Sequence, residues 1–346
     1  MSSDQHDSPE EYTARAAVPR KERRRNRWLL FTVLGLVVAV VLGAVGLAGY
    51  YAKSAVDALD NINREPTLMP TGPRPLPRPS SVAPQPGVVE PPLNIVLMGT
   101  DTRGTERGRS DVLQLLHISG DRKHVFLMSI PRDTWVDIPG RQKAKINAAY
   151  SWGCAALTVQ TVEELLQVPV DHTALIDFNG FTNVIDTLGG VTVYNQEASS
   201  SRGHDFPAGE ITLDGEAALV FVRERYGLSD GDFGRATRQR EVIKATLGKL
   251  VSGGVLTDPV RFRESVVTLG SNFTVDEGLT NETIINLGWT LKEFNPADIA
   301  SFQFPTAGFS TSEDGQSIVL VNARLLDDLR AALRNDRLAE YVAANG

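Results

Sequence analysis

Two groups of charged residues in this 346-residue chain have the types and spacing to bind an anion. The first spans 101–133. It holds Asp101, Asp111 and Arg132, with Arg103, Arg107 and Arg109 between the two aspartates and Asp133 directly after Arg132. The second spans 223–239. Arg223 and Arg225 stand two apart, followed by Asp232, Arg235, Arg238 and Gln239. Guanidinium groups match phosphate oxygens in a bidentate fork, and carboxylates hold the hard divalent cations that accompany phosphates. Each feature alone has an ordinary explanation: an Arg-Glu-Arg run as a solvated strand edge, an aspartate at a strand end as a turn former. Together they point to an anion site with a divalent metal.

Such a site needs elements that bring both groups to one place. LNIVLMG from Leu93, DVLQLLHI from Asp111 and HVFLMSI from His124 have the composition of buried strands, the last two separated by the turn SGDRK. An antiparallel meander of the three puts Asp101, Asp111 and Pro131-Arg132-Asp133 at one sheet edge. LVFVRER (219–225) is expected as a strand, which places Arg223 and Arg225 on one face. A helix is expected from Asp232, its capping residue, to about Val251, with Arg235, Arg238 and Gln239 in the first turns on one face. A helix N-terminus already favours anions. Further helices are expected over 155–167, 178–188, 258–270, 280–293 and 322–341, and strands at 191–195 and 300–304. Strands interleaved with helices predict an α/β domain with a mixed central sheet flanked by helices.

The N-terminal part has a different character. Arg20, Lys21, Arg23, Arg24, Arg25 and Arg27 form a basic block, and no charged residue occurs from Trp28 to Tyr51. At about 1.5 Å per residue this apolar run spans a bilayer core of roughly 30 Å. It is longer than a signal-peptide core and ends in aromatics, so an uncleaved anchor with its N-terminus in the cytoplasm is expected. Residues 52–92 are rich in proline and are expected to act as an extended linker. The layout expected is a cytoplasmic tail (1–27), a transmembrane helix (28–51), the linker (52–92) and an extracytoplasmic domain (93–346).

A net charge of −7 argues against a non-specific nucleic-acid binder. Cys154 is the only cysteine, so an exported domain must be held by its core rather than by an internal disulfide. The five histidines lack metal-ligand spacing. No phosphate-binding GxxxxGK[ST], dinucleotide GxGxxG, GxSxG elbow or HExxH is present. Outside the membrane there is no ATP pool, so a phosphoryl-handling domain there must take a substrate with its own activated bond. Lipid pyrophosphates fit that requirement.

The motifs LNIVLMGTDTR, RSD at 109–111, SIPRDTWVDIPG, KINAAY, DFNGFTNVIDTLGGV, LDGEAALVFVRER and DFGRATRQ occur in one order between residues 93 and 252. In this the chain resembles the LytR-CpsA-Psr proteins, which attach glycopolymers to the bacterial cell wall. The resemblance implies a membrane-anchored transferase acting on a polyprenyl-pyrophosphate-linked glycan. The acceptor would be a peptidoglycan hydroxyl, and polyprenyl phosphate would leave. It implies Asp101 and Asp111 as residues for magnesium or manganese. Asp111, Arg132 and Arg109 are implied as catalytic, with Asp111 or Asp101 able to take the acceptor proton. Arg132, Arg223, Arg225, Arg235 and Gln239 are implied as pyrophosphate ligands, together with Lys145 and Arg238, which lie in matching motifs. A hydrolase that uses water in place of the sugar hydroxyl needs the same residues. A non-enzymatic envelope regulator is the remaining alternative, although a tail of about 27 residues without a helix-turn-helix cannot read DNA.

Overall fold

In the computed structural model the chain forms two compact units, Met1–Ala52 and Lys53–Gly346. The structure describes residues 59–72, 74, 76, 90–101, 110–250, 259–290, 295 and 298–345, together with 49, 50, 53 and 57. The run expected to cross the membrane therefore lies almost wholly outside the described residues. Among the described residues, no helix is long and apolar enough to span a bilayer.

The second unit is built on a seven-stranded mixed sheet. In chain order its elements are β1 (Asn63–Arg64), β2 (Leu93–Thr100), β3 (Ser110–Ile118), β4 (Val125–Ser129), the short pair β5 (Trp135–Val136) and β6 (Ala144–Lys145), and helix α1 (Asn147–Leu166). Next come β7 (His172–Asp177), α2 (Phe178–Thr187), β8 (Val191–Asn195), β9 (Ser199–Ser201), β10 (His204–Phe206), β11 (Gly209–Leu213), α3 (Gly215–Arg223) and α4 (Asp232–Leu250). The chain continues with α5 (Pro259–Asn272), β12 (Phe273–Val275), α6 (Asn281–Thr290), β13 (Ala300–Gln303), β14 (Thr306–Thr311), β15 (Ser317–Val321), α7 (Ala323–Arg334) and α8 (Leu338–Asn345). The strand order is β1-β12-β7-β2-β3-β4-β13.

The expected meander is present: β2, β3 and β4 pair antiparallel in sequence order. Alternation along β2 explains why the sheet is covered on both faces. Val96 and Met98 join a core shared with Val159, Val162 and Leu166 of α1 and Leu329 and Leu333 of α7. Ile95 and Leu97 point the other way, toward Ile243 and Leu247 of α4. A separate core lies among α2, α3, α4 and β8, with Ile185, Phe221, Val242 and Val193 buried. At Gly215 a side chain would run into the Thr182 carbonyl, and this close approach lets α3 pack on α2.

Four expectations are corrected. Residues 219–225 are not a strand. Asp214 caps α3, accepting from the Ala217 amide, and the helix buries Ala218, Phe221 and Val222 at helical spacing. The apolar run Leu-Val-Phe-Val has no period of its own, so the cap and the preceding Gly-Glu-Ala-Ala decide. Part of the expected linker is packed into the domain. Leu59 and Leu68 are buried, β1 extends the central sheet beside β12, and Arg74 pairs with the buried Glu163. The helix expected over 155–167 begins at Asn147 and is broken at Gly153–Cys154. The one over 322–341 is divided around Asp336, whose φ is 53°.

Candidate active site

Asp111 is placed by an irregularity in the β2–β3 ladder. Gly99 pairs with Val112 and Thr100 with Ser110, so Asp111 is the extra residue of a bulge. Bulges of this kind re-aim a side chain beside a site. Gly99 opposite has no side chain, which lets Val112 approach closely. Arg132 follows β4, whose continuation is fixed by the Ile130 amide donating to the Leu113 carbonyl at 2.9 Å. The Arg132 guanidinium donates to Asp111 Oδ1 at 2.7 Å. It also lies 3.7 Å from Asp133 and 3.7 Å from Asp232. Lys145 on β6 pairs with Asp133 at 3.0 Å, and Arg235 on α4 with Asp232 at 2.7 Å. One connected ion network thus joins both charged groups of the sequence.

Next to this network is a cavity of about 450 Å³, within the usual range for a ligand pocket. Arg132, Arg223, Arg225, Arg235, Gln239 and Asp111 line it. The rest of its wall is mostly apolar, from Ile176, Phe181, Leu219, Ile243, Leu247 and Phe273. Helix α4 shows how the two parts are related. Arg235, Gln239, Ile243 and Leu247 recur every four residues and all line the cavity, so they form one stripe of about 18 Å. The stripe is charged at the helix N-terminal end and apolar at the other.

The rim is electrostatically unbalanced. Burial lowers the Arg235 pKa, Asp232 and Asp111 work against that, and Arg132 and Arg225 reinforce it by repulsion. Arg132 is held above its usual value. Its burial opposes the charged form, but the Asp111 hydrogen bond and the nearby Asp111, Asp232 and Asp133 charges outweigh it. Arg223 lies over the Phe178 ring at 4.5 Å and Arg225 over the Tyr226 ring at 4.4 Å, so both guanidinium planes are braced by aromatic faces. Gln239 donates to the Val222 carbonyl at 3.2 Å.

Not every expected site residue reaches the cavity. Arg238 turns away from it. Its Nη2 donates to Asn195 Oδ1 at 3.0 Å and to the Glu197 carbonyl at 2.9 Å, and its guanidinium lies 4.2 Å from the Phe221 ring centre. Lys145 is not part of the cavity lining and, among the described residues, meets the network through Asp133. Asp101 follows Thr100 at the same end of the sheet but is not part of the cavity lining. Arg103, Arg107 and Arg109 lie outside the described residues. Arg202 and Tyr226 line the cavity and were missed by the sequence reading. Arg202 sits in the β9–β10 turn with φ 49°, followed by Gly203 with φ 85°, the twin positive angles of a tight hairpin. The Arg-Gly pair between two short polar segments is the only sequence signal for it.

A LytR-CpsA-Psr family description matches residues 76–335. The chain belongs to this family. Over 316 residues it is 31% identical to the polyisoprenyl-teichoic acid–peptidoglycan teichoic acid transferase TagU of Bacillus licheniformis, covering 91% of this chain and 97% of that protein. It is 42% identical over 190 residues to TagU of Oceanobacillus iheyensis, covering 53% of this chain and 58% of that one. Among solved structures it is similar to B. subtilis TagV, with a TM-score of 0.62 and 29% identity over 72% of this chain and 98% of that one. It is also similar to TagT bound to LI-WTA, with a TM-score of 0.60 and 28% identity over 78% and 98%.

For this member of the LytR-CpsA-Psr family, the donor set at the sheet edge fits a magnesium-type ion only of one kind. Among the described residues, no group of three or more His, Cys, Asp or Glu is placed to hold a metal. Magnesium, however, keeps most of its waters and takes one or two carboxylates plus substrate phosphate oxygens. Asp111, with one oxygen committed to Arg132, and Asp101 at the same sheet end suit that mode.

Proposed function

We propose that this protein is a membrane-anchored phosphotransferase. It moves a glycopolymer from a polyprenyl-pyrophosphate carrier to a hydroxyl of peptidoglycan and releases polyprenyl phosphate. One observation carries the reading: a single stripe of α4 lines the cavity with Arg235 and Gln239 at one end and Ile243 and Leu247 at the other. A ligand matching that stripe has an anionic head and a long apolar tail. The named activity of the TagU relatives supports the same substrate pair.

Phosphoryl transfer asks a protein mainly for positioning and charge neutralisation. Arg223, Arg225, Arg235 and Gln239 hold the pyrophosphate oxygens. Arg132 offsets the charge that develops on the departing polyprenyl phosphate. Asp111 or Asp101, whichever carboxylate is left uncommitted by the divalent ion, takes the proton of the attacking hydroxyl. The new bond joins that oxygen to the glycan-bearing phosphorus as the bond to polyprenyl phosphate breaks. Asp101 and Asp111 would hold a divalent ion, which when bound supplies further neutralisation of the pyrophosphate. Lys145 keeps Asp133 in place beside Arg132.

The test is a reaction of the purified domain with a polyprenyl-pyrophosphate-linked glycan and peptidoglycan strands, read by mass spectrometry. A glycan–phosphate–peptidoglycan bond is expected. Release of free glycan phosphate alone would mean that water is the acceptor and that the protein is a hydrolase. The anchor topology is tested by a C-terminal reporter active only in the cytoplasm, which should remain silent.

A further inference from the structure

An in-line displacement puts the attacking oxygen opposite the leaving group. On the transfer reading above, the leaving polyprenyl phosphate occupies the cavity, so the acceptor must approach from beyond Arg132 and Arg235. The structure has an unusual surface there. Phe309 on β14 is 59% exposed, and its ring lies 4.9 Å from that of Phe233, tilted by 31°. Phe233 directly follows Asp232, which binds Arg235 at 2.7 Å and lies 3.7 Å from Arg132. Phe309 is cross-strand from Val319, whose amide donates to the Asp133 carbonyl at 2.9 Å. The aromatic pair is therefore tied to the rim from two sides. Arg132 and Arg235 line the cavity, whereas Asp133, Asp232, Phe233 and Phe309 do not, so the pair stands outside the donor pocket.

Local backbone geometry supports a purpose for this placement. The β14–β15 register shifts between Thr306 and Gly308, and Gly308 has φ 97°. The irregularity immediately precedes Phe309, as the β2–β3 bulge sets Asp111. A folding role does not require a large aromatic ring to be held in solvent, and burial of Phe309 would satisfy the hydrophobic effect better. A pyranose ring, by contrast, carries a face of C–H groups that packs against the electron-rich face of an aromatic ring. We infer that Phe309, backed by Phe233, is the platform on which a sugar ring of the acceptor glycan stacks while its hydroxyl is presented to the phosphorus.

The variants Phe309→Ala and Phe309→Trp test this, with a polyprenyl-pyrophosphate-linked sugar as donor and soluble uncrosslinked peptidoglycan strands as acceptor. Phe309→Ala is expected to raise the acceptor KM about five- to tenfold, the scale of one aromatic stack, with kcat near wild type. Phe309→Trp is expected to restore the wild-type KM. A weaker donor Kd in Phe309→Ala would overturn the proposal, because the ring would then hold the donor glycan. A wild-type dimer lost in Phe309→Ala with no change in acceptor KM would overturn it in favour of self-association. An equal fall in melting temperature in both variants, without rescue by Trp, would make the ring structural. Should the wild-type protein transfer nothing, the transfer reading fails, and titration with the same strands still decides the platform. About tenfold weaker binding by Phe309→Ala supports it, and equal binding overturns it.

Discussion

The two ends of the central sheet solve the problem of buried polar groups in opposite ways. At the end where β2 begins and β3 finishes, partners are matched. His117 lies 2.7 Å from Asn94 Oδ1 through one ring nitrogen and 3.1 Å from Asp336 through the other. The second Asp336 oxygen accepts from the Gly120 amide at 2.8 Å, and Asn94 donates to the Pro169 carbonyl at 2.9 Å. Seven residues away along β2, roughly 23 Å, the other end gathers Arg132, Arg223, Arg225 and Arg235 around one cavity. There burial lowers the Arg235 pKa, and repulsion from Arg132 and Arg225 adds to that lowering. Matched polar groups hold a fold together. A surplus of like charge instead marks where a ligand completes the balance.

The strongest way to break this comparison is at Arg132. Arg132→Ala should reduce transfer by about 10²–10³-fold, the scale for removing one preorganised charge-stabilising group, while lowering the melting temperature little. Arg132→Lys should not restore the rate, because an ammonium cannot fork between Asp111 and a phosphate. A large loss of thermal stability with a normal rate per folded molecule would show that the ion network is structural. A sharper test is Arg225→Ala. Donor affinity should fall by roughly 10- to 150-fold, the equivalent of about 1.5–3 kcal/mol for a charged hydrogen bond. Its melting temperature should hold or rise, since a charge that repels Arg235 is gone. A lower melting temperature with unaltered affinity, measured by calorimetry and lipid-pyrophosphate titration, would refute the anion-site reading of the rim.

What the sequence made legible depended on whether a pattern had one reading. The β2–β3–β4 meander was readable because short turns separate three apolar runs, and it correctly brought Asp111 and Arg132 together. The bulge that aims Asp111 was not readable, since register is set by pairing rather than by composition. The strand β7 escaped notice although it pairs parallel to β2 in the middle of the sheet, because His172, Thr173 and Asp177 dilute its apolar character. The apolar run 219–222 suited strand or helix equally, and the Asp214 cap decided it. In 59–74 the prolines hid the buried Leu59 and Leu68. On α4, Arg235, Arg238 and Gln239 looked equivalent from spacings of three and four. Arg238 and Gln239 are adjacent in sequence and so about 100° apart around the helix, enough to send one into the core and the other into the cavity.

That divergence on α4 yields a test in the opposite sense. Arg238 is buried, bonded to neutral oxygens and packed over Phe221. Arg238→Ala should destabilise the domain by about 2–3 kcal/mol from lost charged hydrogen bonds and packing, which lowers the melting temperature by roughly 4–10 °C. Donor affinity of the folded fraction should stay at the wild-type value. An affinity loss as large as that of Arg225→Ala, without destabilisation, would return Arg238 to the anion site.

The smallest expected effect lies at the matched end of the sheet and appears only in acid. Burial raises the Asp336 pKa, but the His117 hydrogen bond, the Gly120 amide and the His117 and Arg122 charges outweigh it and hold the carboxyl below its usual range. A carboxylate depressed in the folded state stabilises that state at pH values above its unfolded pKa of about 3.9. The contribution is lost as pH falls through the lower folded value. Asp336→Asn should therefore melt below wild type at neutral pH, and the gap should begin to close only below about pH 4. Rim variants should not share this acid limb, because their stability does not rest on a matched pair at that end. A gap independent of pH would mean that Asp336 stabilises the His117–Asn94 network by shape and neutral hydrogen bonding, and the electrostatic half of the comparison would then rest on the arginine rim alone.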